Sequence, residues 1–581
     1  MGAGHLLPMV ELAKLFLTRG LDVTIAVPAT PGSGTTGSPT IAGIAASNPS
    51  ITFHHLPPPP SCTDPDPNLL LLMLDVLRRS VPSLASLLRS IPSVAALVLD
   101  IFCAEAVDAA AALHVPAYIY FTSAAGAFAA SLGLMHHYST ATTNLRDMGK
   151  ALLRFPGVPP IPASDMPSLV QDREGRFYKA RAKLYARAME ASGVLLNTYE
   201  WLEARAVGAL REGACSPDRP TPPVYCVGPL VASGEEEGGG ARHACLAWLD
   251  AQPARSVVFL CFGSMGSFSA AQLKEIARGL ESSGHRFLWV VRSPRQDPNN
   301  LLEHLPEPDL AALLPEGFLE RTADKGMVVK SWAPQAKVLR HTATAAFITH
   351  CGWNSTLEGI TAGVPLLCWP LYAEQRMNKV FIVEEMKMGV VIDGYDEEMV
   401  RAEEVEAKVR LVMESEEGGK LLERLAVARA KAVEALAEEG PSRVAFDEFI
   451  DRLRGRDGEA EGGREAPAYL PPSSTDLPTD RRAWWSPSPW QQSSATLLGL
   501  LEVRPSPLKT EAVAVAWWSL VSVPVAVRDG GITVVDMGLV DVHAGVGFSC
   551  LVVFGSSAGT NSRRSRRLSD GSGSGSGGSS P

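Results

Sequence analysis

Between Trp332 and Gln375 the chain reads as strand, turn, helix, strand, and that order constrains everything around it. Ala345 to Ile348 is a short apolar run that ends in Thr349-His350. Cys351-Gly352-Trp353 turns the chain. Ser355 and Glu358 then have the S-x-x-E spacing of a capping box, which predicts the start of a helix. Gly363 and Pro365 stop that helix, and Leu366-Leu367-Cys368-Trp369 opens the next strand. A strand that feeds a helix N-terminus offers unpaired N–H groups and the positive end of a dipole to whatever lies at the turn, so it suits an anion. His350, Gly352, Asn354 and Ser355 surround this turn, with the indole of Trp332 before it and the acid–amide pair Glu374-Gln375 after it. Such groups would hold a phosphate, a flat ring and polyol hydroxyls, and a nucleotide sugar carries all three.

Three segments of this stretch, Trp332-Ala333-Pro334-Gln335, His350-Cys351-Gly352-Trp353-Asn354-Ser355 and Trp369-Pro370-Leu371-Tyr372-Ala373-Glu374-Gln375, resemble the signature box of plant family-1 UDP-sugar-dependent glycosyltransferases. A match of this length is more specific than a lone glycine-rich motif. The likeness extends over roughly residues 1–455 and no further. It implies an α/β fold of the GT-B type, two Rossmann-like domains facing across a cleft, followed here by a C-terminal low-order extension. The implied boundaries are 1–230 for the acceptor domain, 231–245 for a linker, 246–440 for the UDP-sugar domain and 441–455 for a helix that returns to the first domain; 456–581 stay unassigned as a disordered tail.

The residues themselves support alternating strands and helices. Val23–Val27, Ile51–Leu56, Ala95–Leu99, Ala117–Phe121 and Gly193–Asn197 read as strands of one unit; Ser256–Phe262, Phe287–Val291 and Met327–Val329 read as strands of a second. Alternation of this kind predicts parallel sheets with ligands at the carboxyl ends of the strands. Pro8 reads as the opening of a helix that ends at about Arg19 with Gly20 as its stop, and Asn197-Thr198-Tyr199-Glu200 as the opening of another. In the family a buried strand precedes the glycine turn Gly2-Ala3-Gly4, and this chain shows no residues for it. Either the true start lies upstream, which we expect, or the first domain lacks an interior strand.

Composition removes several classes. A net charge of −10 argues against nucleic-acid binding, which usually needs a basic patch. The nine Cys include no C-x-x-C pair, so neither a zinc site nor a disulfide framework is suggested, and reduced thiols in a cytoplasmic enzyme are the simplest reading. The uncharged run Ala512–Val527 holds two Ser and a Pro and is short for a membrane span of about 20 residues. Asp64-Pro65-Asp66 has the D-x-D form that holds a divalent ion in another glycosyltransferase class, but no strand directly precedes it, and no metal is expected. A dinucleotide-dependent oxidoreductase would need G-x-G-x-x-G after a strand, and Gly2-Ala3-Gly4 lacks both the strand and the third Gly.

Several residues could carry chemistry. His5, on the glycine turn, has an ordinary pKa of about 6.5, which suits proton transfer near neutrality; it reads equally as a solvent-facing turn His. Asp100 ends the strand Leu97-Val98-Leu99 and could orient that imidazole or merely cap the next helix. The resemblance makes His5 the base and Asp100 its partner, because its G-x-G-H-x-x-P pattern and its strand-Asp pattern carry these roles. It further implies that His350, Asn354, Ser355 and the Ser264 turn neutralise the diphosphate, that Trp332 takes uracil, that Gln335 and Glu358 take the ribose, and that Ala333 belongs to the same UDP-sugar site. Glu374, Gln375 and Thr122 would meet the sugar, with Gln375 and Trp353 favouring glucose. Asn354 or Ser355 alone could be an N-cap, His350 a satisfied strand-end His, Trp332 a core indole, Glu358 a capping-box acid and Gln375 a loop amide.

The expectation is an inverting, metal-independent transferase without a cofactor. It would move glucose from UDP-glucose, a co-substrate, to a hydroxyl of a small phenolic acceptor, a flavonoid, chalcone or phenylpropanoid, and would act as a monomer. A non-catalytic or truncated UDP-sugar-binding protein is the alternative.

Overall fold

The computed structural model describes residues 3–28, 39–60, 66, 68–232, 242–297, 303, 305–459 and 550–555. Its first helix, α1 (Ala3–Thr18), contains Pro8 rather than starting there. The face carrying Leu6, Met9, Val10, Ala13 and Phe16 is fully buried, and that burial extends the helix back through Gly4. Gly20, at a φ of +70°, stops it as expected.

Six strands of the first sheet are β1 (Leu21–Val27), β2 (Thr52–His55), β3 (Ala96–Asp100), β4 (Ala117–Phe121), β5 (Gly193–Leu196) and β6 (Val224–Cys226). β3, β4 and β5 are buried at every residue, because helices cover both faces of the sheet. Six strands of the second sheet are β7 (Val257–Cys261), β8 (Arg286–Val291), β9 (Gly326–Lys330), β10 (Thr344–Thr349), β11 (Leu366–Cys368) and β12 (Gly389–Val391). They pair in parallel in the order β9-β8-β7-β10-β11-β12. The order reverses between β7 and β10, so the loops after those two strands flank the crevice where such a sheet binds its ligand.

One strand comes from the far end of the chain. β13 (Cys550–Gly555) lies between β1 and β3 and completes the order β2-β1-β13-β3-β4-β5-β6. It runs antiparallel to both neighbours, whereas the other pairings of this sheet are parallel. This corrects one expectation: Cys550–Gly555 falls in the stretch 456–581 expected to be a disordered tail, yet it forms an interior strand of the first sheet. The rest of the extension beyond Glu459 lies outside the described residues.

The helices that matter for the site are α2 (Ala125–Thr140), α3 (Gln335–Arg340), α4 (Trp353–Ala362), α5 (Gln375–Val380), α6 (Glu416–Leu436) and α7 (Pro441–Glu459). Phe446 and Phe449 of α7 pack edge-on against Phe16 of α1, with ring centroids 5.3 and 5.8 Å apart. The helix expected from Asn197 begins only at Ala204. Asn197 is spent on the tertiary structure instead: its side chain donates to the Leu230 carbonyl at 3.0 Å and accepts from the Leu230 amide at 2.7 Å. Tyr199 likewise donates to the Ala428 carbonyl of α6 at 3.0 Å.

Candidate active site

β3 delivers Asp100 to the carboxyl edge of its sheet, and the first turn of α1 brings His5 to the same edge. His5 Nδ1 lies 2.6 Å from Asp100 Oδ2. The other carboxylate oxygen, Oδ1, accepts the Phe102 amide at 2.9 Å and so caps the turn that follows. The two readings of Asp100 coexist, one on each oxygen. With Nδ1–H committed to the carboxylate, the imidazole carries its lone pair on Nε2. Burial pulls the His5 pKa down, but the charge and hydrogen bond of Asp100, helped by the charge of Glu374, outweigh it and hold the group above 6.5. Thr122 Oγ1 stands 3.2 Å from the same nitrogen, and the Phe102 ring packs edge-on at 5.4 Å.

The turn carrying His5 is tied to the other half of the cleft. Within α1 the amide of residue 8 would donate to the Gly4 carbonyl, but Pro8 has no N–H to give. Asn354, in the first turn of α4, donates its side-chain amide to that carbonyl at 2.7 Å. The adjoining residue of the 122–123 loop makes a second tie: Ser123 donates to Glu374 Oε1 at 3.1 Å. His5, Asp100 and Glu374, three of the expected site residues, therefore share one corner.

Along the second sheet the crevice is built on close backbone approach. The His350 ring is 7% exposed and sits against Gly263 and Gly352; a Cβ at either glycine would fall 2.6 or 2.5 Å from its Nε2. Burial, with the charge of Arg292, drives His350 down to about 4. His350 is thus neutral near pH 7 in this crevice, where its imidazole offers a hydrogen bond. Its Nδ1 is buried without a hydrogen-bond partner among the described residues. Cations stand nearby that the sequence reading passed over. Arg292 donates to the Ser264 carbonyl, and Arg295 to the Met265 carbonyl at 2.6 Å. The signal was there in two Arg directly after an apolar strand. Ser264 itself is exposed.

The capping box does not form. α4 starts at Trp353 with Gly352 as its N-cap and no side-chain cap bond, so its first N–H groups stay open to the crevice. Ser355 and Glu358 lie inside the helix, where Gln335 of α3 donates to both, at 2.8 and 2.7 Å. Burial raises the Glu358 pKa against that hydrogen bond. Trp332 is 58% exposed, an open indole rather than a core one, and meets the edge of His243 at 5.8 Å. Ala333 is buried, leaving its backbone as its usable part.

The Trp353 indole is 2% exposed and donates its N–H to the Asn197 carbonyl at 2.8 Å, so this side chain joins the two halves of the cleft and leaves the backbone as the part of Trp353 open to a ligand. Gln375 is buried, and its Oε1 accepts from the Leu371 and Tyr372 amides at 2.9 and 3.0 Å. Its NH₂ is what remains to bind. Of the D-x-D, Asp64 and Pro65 lie outside the described residues. Asp66 accepts from the Asn68 amide at 2.9 Å and pairs with Arg176. Among the described residues no group of three or more His, Cys, Asp or Glu could hold a metal, and no helix is long and apolar enough to cross a membrane.

Residues 232–426 match the family profile described as UDP-glucoronosyl and UDP-glucosyl transferase. An anthocyanidin 5,3-O-glucosyltransferase from a Rosa hybrid cultivar is 42% identical over 460 residues, which is 76% of this chain and 95% of that one. The chain belongs to the plant family-1 UDP-glycosyltransferases. A phloretin 2'-O-glucosyltransferase of Pyrus communis is 41% identical, covering 78% of this chain and 98% of the relative. Among solved structures, Phytolacca americana UGT2 complexed with UDP-2fluoro-glucose and pterostilbene superposes with a TM-score of 0.70 at 35% identity, over 78% of this chain and 98% of that one. The family assignment makes this chain a glycosyltransferase of the GT-B architecture.

Proposed function

We propose that this glycosyltransferase moves glucose from UDP-glucose to a hydroxyl of a small phenolic acceptor with inversion. The observation that carries the proposal is the meeting of His5, Asp100 and Thr122 with Ser123 and Glu374 at one corner of the cleft. His5 Nε2 takes the acceptor proton while the acceptor oxygen attacks the anomeric carbon; the bond to the UDP oxygen breaks and its electron pair leaves with the diphosphate. Asp100 stabilises the imidazolium so formed. The open N-terminus of α4, the His350 imidazole and Arg292 would receive the diphosphate. Trp332 would stack on uracil, and Gln335 with Glu358 would take the ribose. Glu374 and the Gln375 NH₂ would hold the sugar hydroxyls.

Support for a phenolic acceptor comes from the relatives. The named relatives act on anthocyanidin and phloretin, and pterostilbene accompanies the sugar analogue in the solved complex. The test is UDP release from UDP-glucose with a panel of plant phenols. Turnover that disappears in His5→Ala, with UDP still bound, is expected. UDP binding without turnover on any phenol of the panel would instead favour a binding protein.

A further inference from the structure

The interval between β1 and β3 is where the strand order of the first sheet reverses, and its occupant comes from the other end of the chain. Register partners run from Leu21↔Gly555 to Ala26↔Cys550 on one side and from Cys550↔Leu99 to Val553↔Ala96 on the other. The Ala95 amide donates to the Val553 carbonyl at 2.8 Å, extending the pairing by one residue. Val552 and Val553 are both fully buried on opposite faces, as the period of two requires. Val552 joins the core that holds Leu97, Leu99 and Ala26. Val553 joins the core of Phe16, Val23, Ile25 and Phe449.

Two strands separated by an empty interval would face each other across about 10 Å, each with a row of unpaired backbone groups at the centre of a buried sheet. β13 satisfies both rows and links the cores above and below. It also bears on the dyad: Cys550 pairs with Leu99, the residue before Asp100, and with Ala26. We propose that the interval between β1 and β3 is a strand-accepting slot, and that the chain fills it with its own Cys550–Gly555 and thereby holds β3, and with it Asp100, against α1. The segment has the chemistry such a slot selects: Cys550-Leu551-Val552-Val553-Phe554 is uncharged and apolar, followed by Gly555 and preceded by Ser549. Its antiparallel direction sets it apart from a strand leading into the glycine turn, which would run parallel to β1.

The test uses the full-length chain, and its deciding readouts, a cross-link and a Tm, do not depend on the transferase reading. Leu97→Cys with Val552→Cys places two thiols at facing register positions on one face. Oxidation is expected to give a peptide pair linked through residues 97 and 552, found by mass spectrometry in the monomer fraction. Leu97→Cys with Val553→Cys puts the thiols on opposite faces and is expected to give no such pair. In unoxidised protein Val552→Asp is expected to lower the Tm by several degrees and kcat/KM at least tenfold. Because Val552→Asp can fail to fold, Val552→Ala is measured as well, with a smaller fall of the Tm expected. A missing 97–552 link, a link confined to dimers, or a Tm of Val552→Ala equal to that of the parent overturns the proposal. The dimer result would mean that a second copy supplies the strand.

Discussion

Asp100 divides its two oxygens between His5 and the turn after β3, and that division predicts how its variants behave. Asp100→Asn keeps an oxygen for the Phe102 amide but removes the charge that holds the His5 pKa up. Burial then dominates, and the pKa falls. In the proposed mechanism neutral His5 is the base, so activity in the parent is expected to rise with pH through a value above 6.5. In Asp100→Asn that acid limb moves to lower pH while kcat drops on the order of 10²–10⁴-fold. A kcat profile from pH 5 to 9 checks both, and an unmoved limb would count against the pairing. Asn354 gives a second test. If its amide serves the Gly4 carbonyl that Pro8 leaves open, Asn354→Ala loses activity and Pro8→Ala in the same chain restores part of it by supplying the missing helical N–H. If Asn354 acts only on the diphosphate, Pro8→Ala rescues nothing and the loss appears as weaker UDP binding. His5 and Asp100 were legible because each belongs to a motif. The Asn354–Gly4 bond was not, because it joins residues far apart in sequence through a lost hydrogen bond.

At the scale of elements, α2 depends on a group that no motif marks. It is apolar nearly all round and buried, and its N-terminus has no cap of its own. Glu203 supplies one from a distance, accepting the Ala125 and Gly126 amides at 3.0 and 2.9 Å. Burial pushes its carboxyl up to about 7 against those hydrogen bonds. A carboxyl raised in the folded state contributes stability that is full below its unfolded value of about 4.3 and is lost as pH rises through about 7. Melting curves between pH 5 and 8 are therefore expected to fall more steeply for the parent than for Glu203→Gln. Most central strands could be read from apolar runs; Ala117–Phe121 begins and ends where expected. Helix starts fared worse. Ser355 and Glu358 mimic a capping box, but Gln335 competes for both and Gly352 takes the cap position. Pro8 mimics a first helical residue, but burial of Leu6 and the Asn354 bond carry the helix past it. Local spacing proposes a start, and tertiary partners decide it.

For the molecule as a whole, the joint between the two sheets contains buried charge. Lys379 of α5 donates to Asp165 Oδ2 at 2.7 Å, and Tyr395 donates to Asp165 Oδ1 at 2.8 Å. Both members of the ion pair are largely buried, so removing one leaves the other unpaired. Asp165→Asn is expected to destabilise the protein by about 3–5 kcal/mol, measured by denaturant unfolding, whereas Asp165→Asn with Lys379→Met recovers much of that loss. The two-sheet architecture itself was legible, because alternation of strands and helices is a local pattern repeated along the chain. The occupant of the slot beside β3 was not. A short apolar run such as Cys550–Phe554 announces a buried strand and says nothing of its neighbours.

That arrangement also fixes an order in time. A ribosome releases β1 and β3 long before Cys550–Gly555, and at about 5–20 residues per second the delay is roughly 20–90 s. The second sheet, whose strands all lie between Val257 and Val391, can close while the chain is still being made. The first sheet waits for nearly the last residues. A nascent chain of this protein is therefore finished in its second sheet before its first, and a pulse of protease during synthesis should find the N-terminal residues the more exposed.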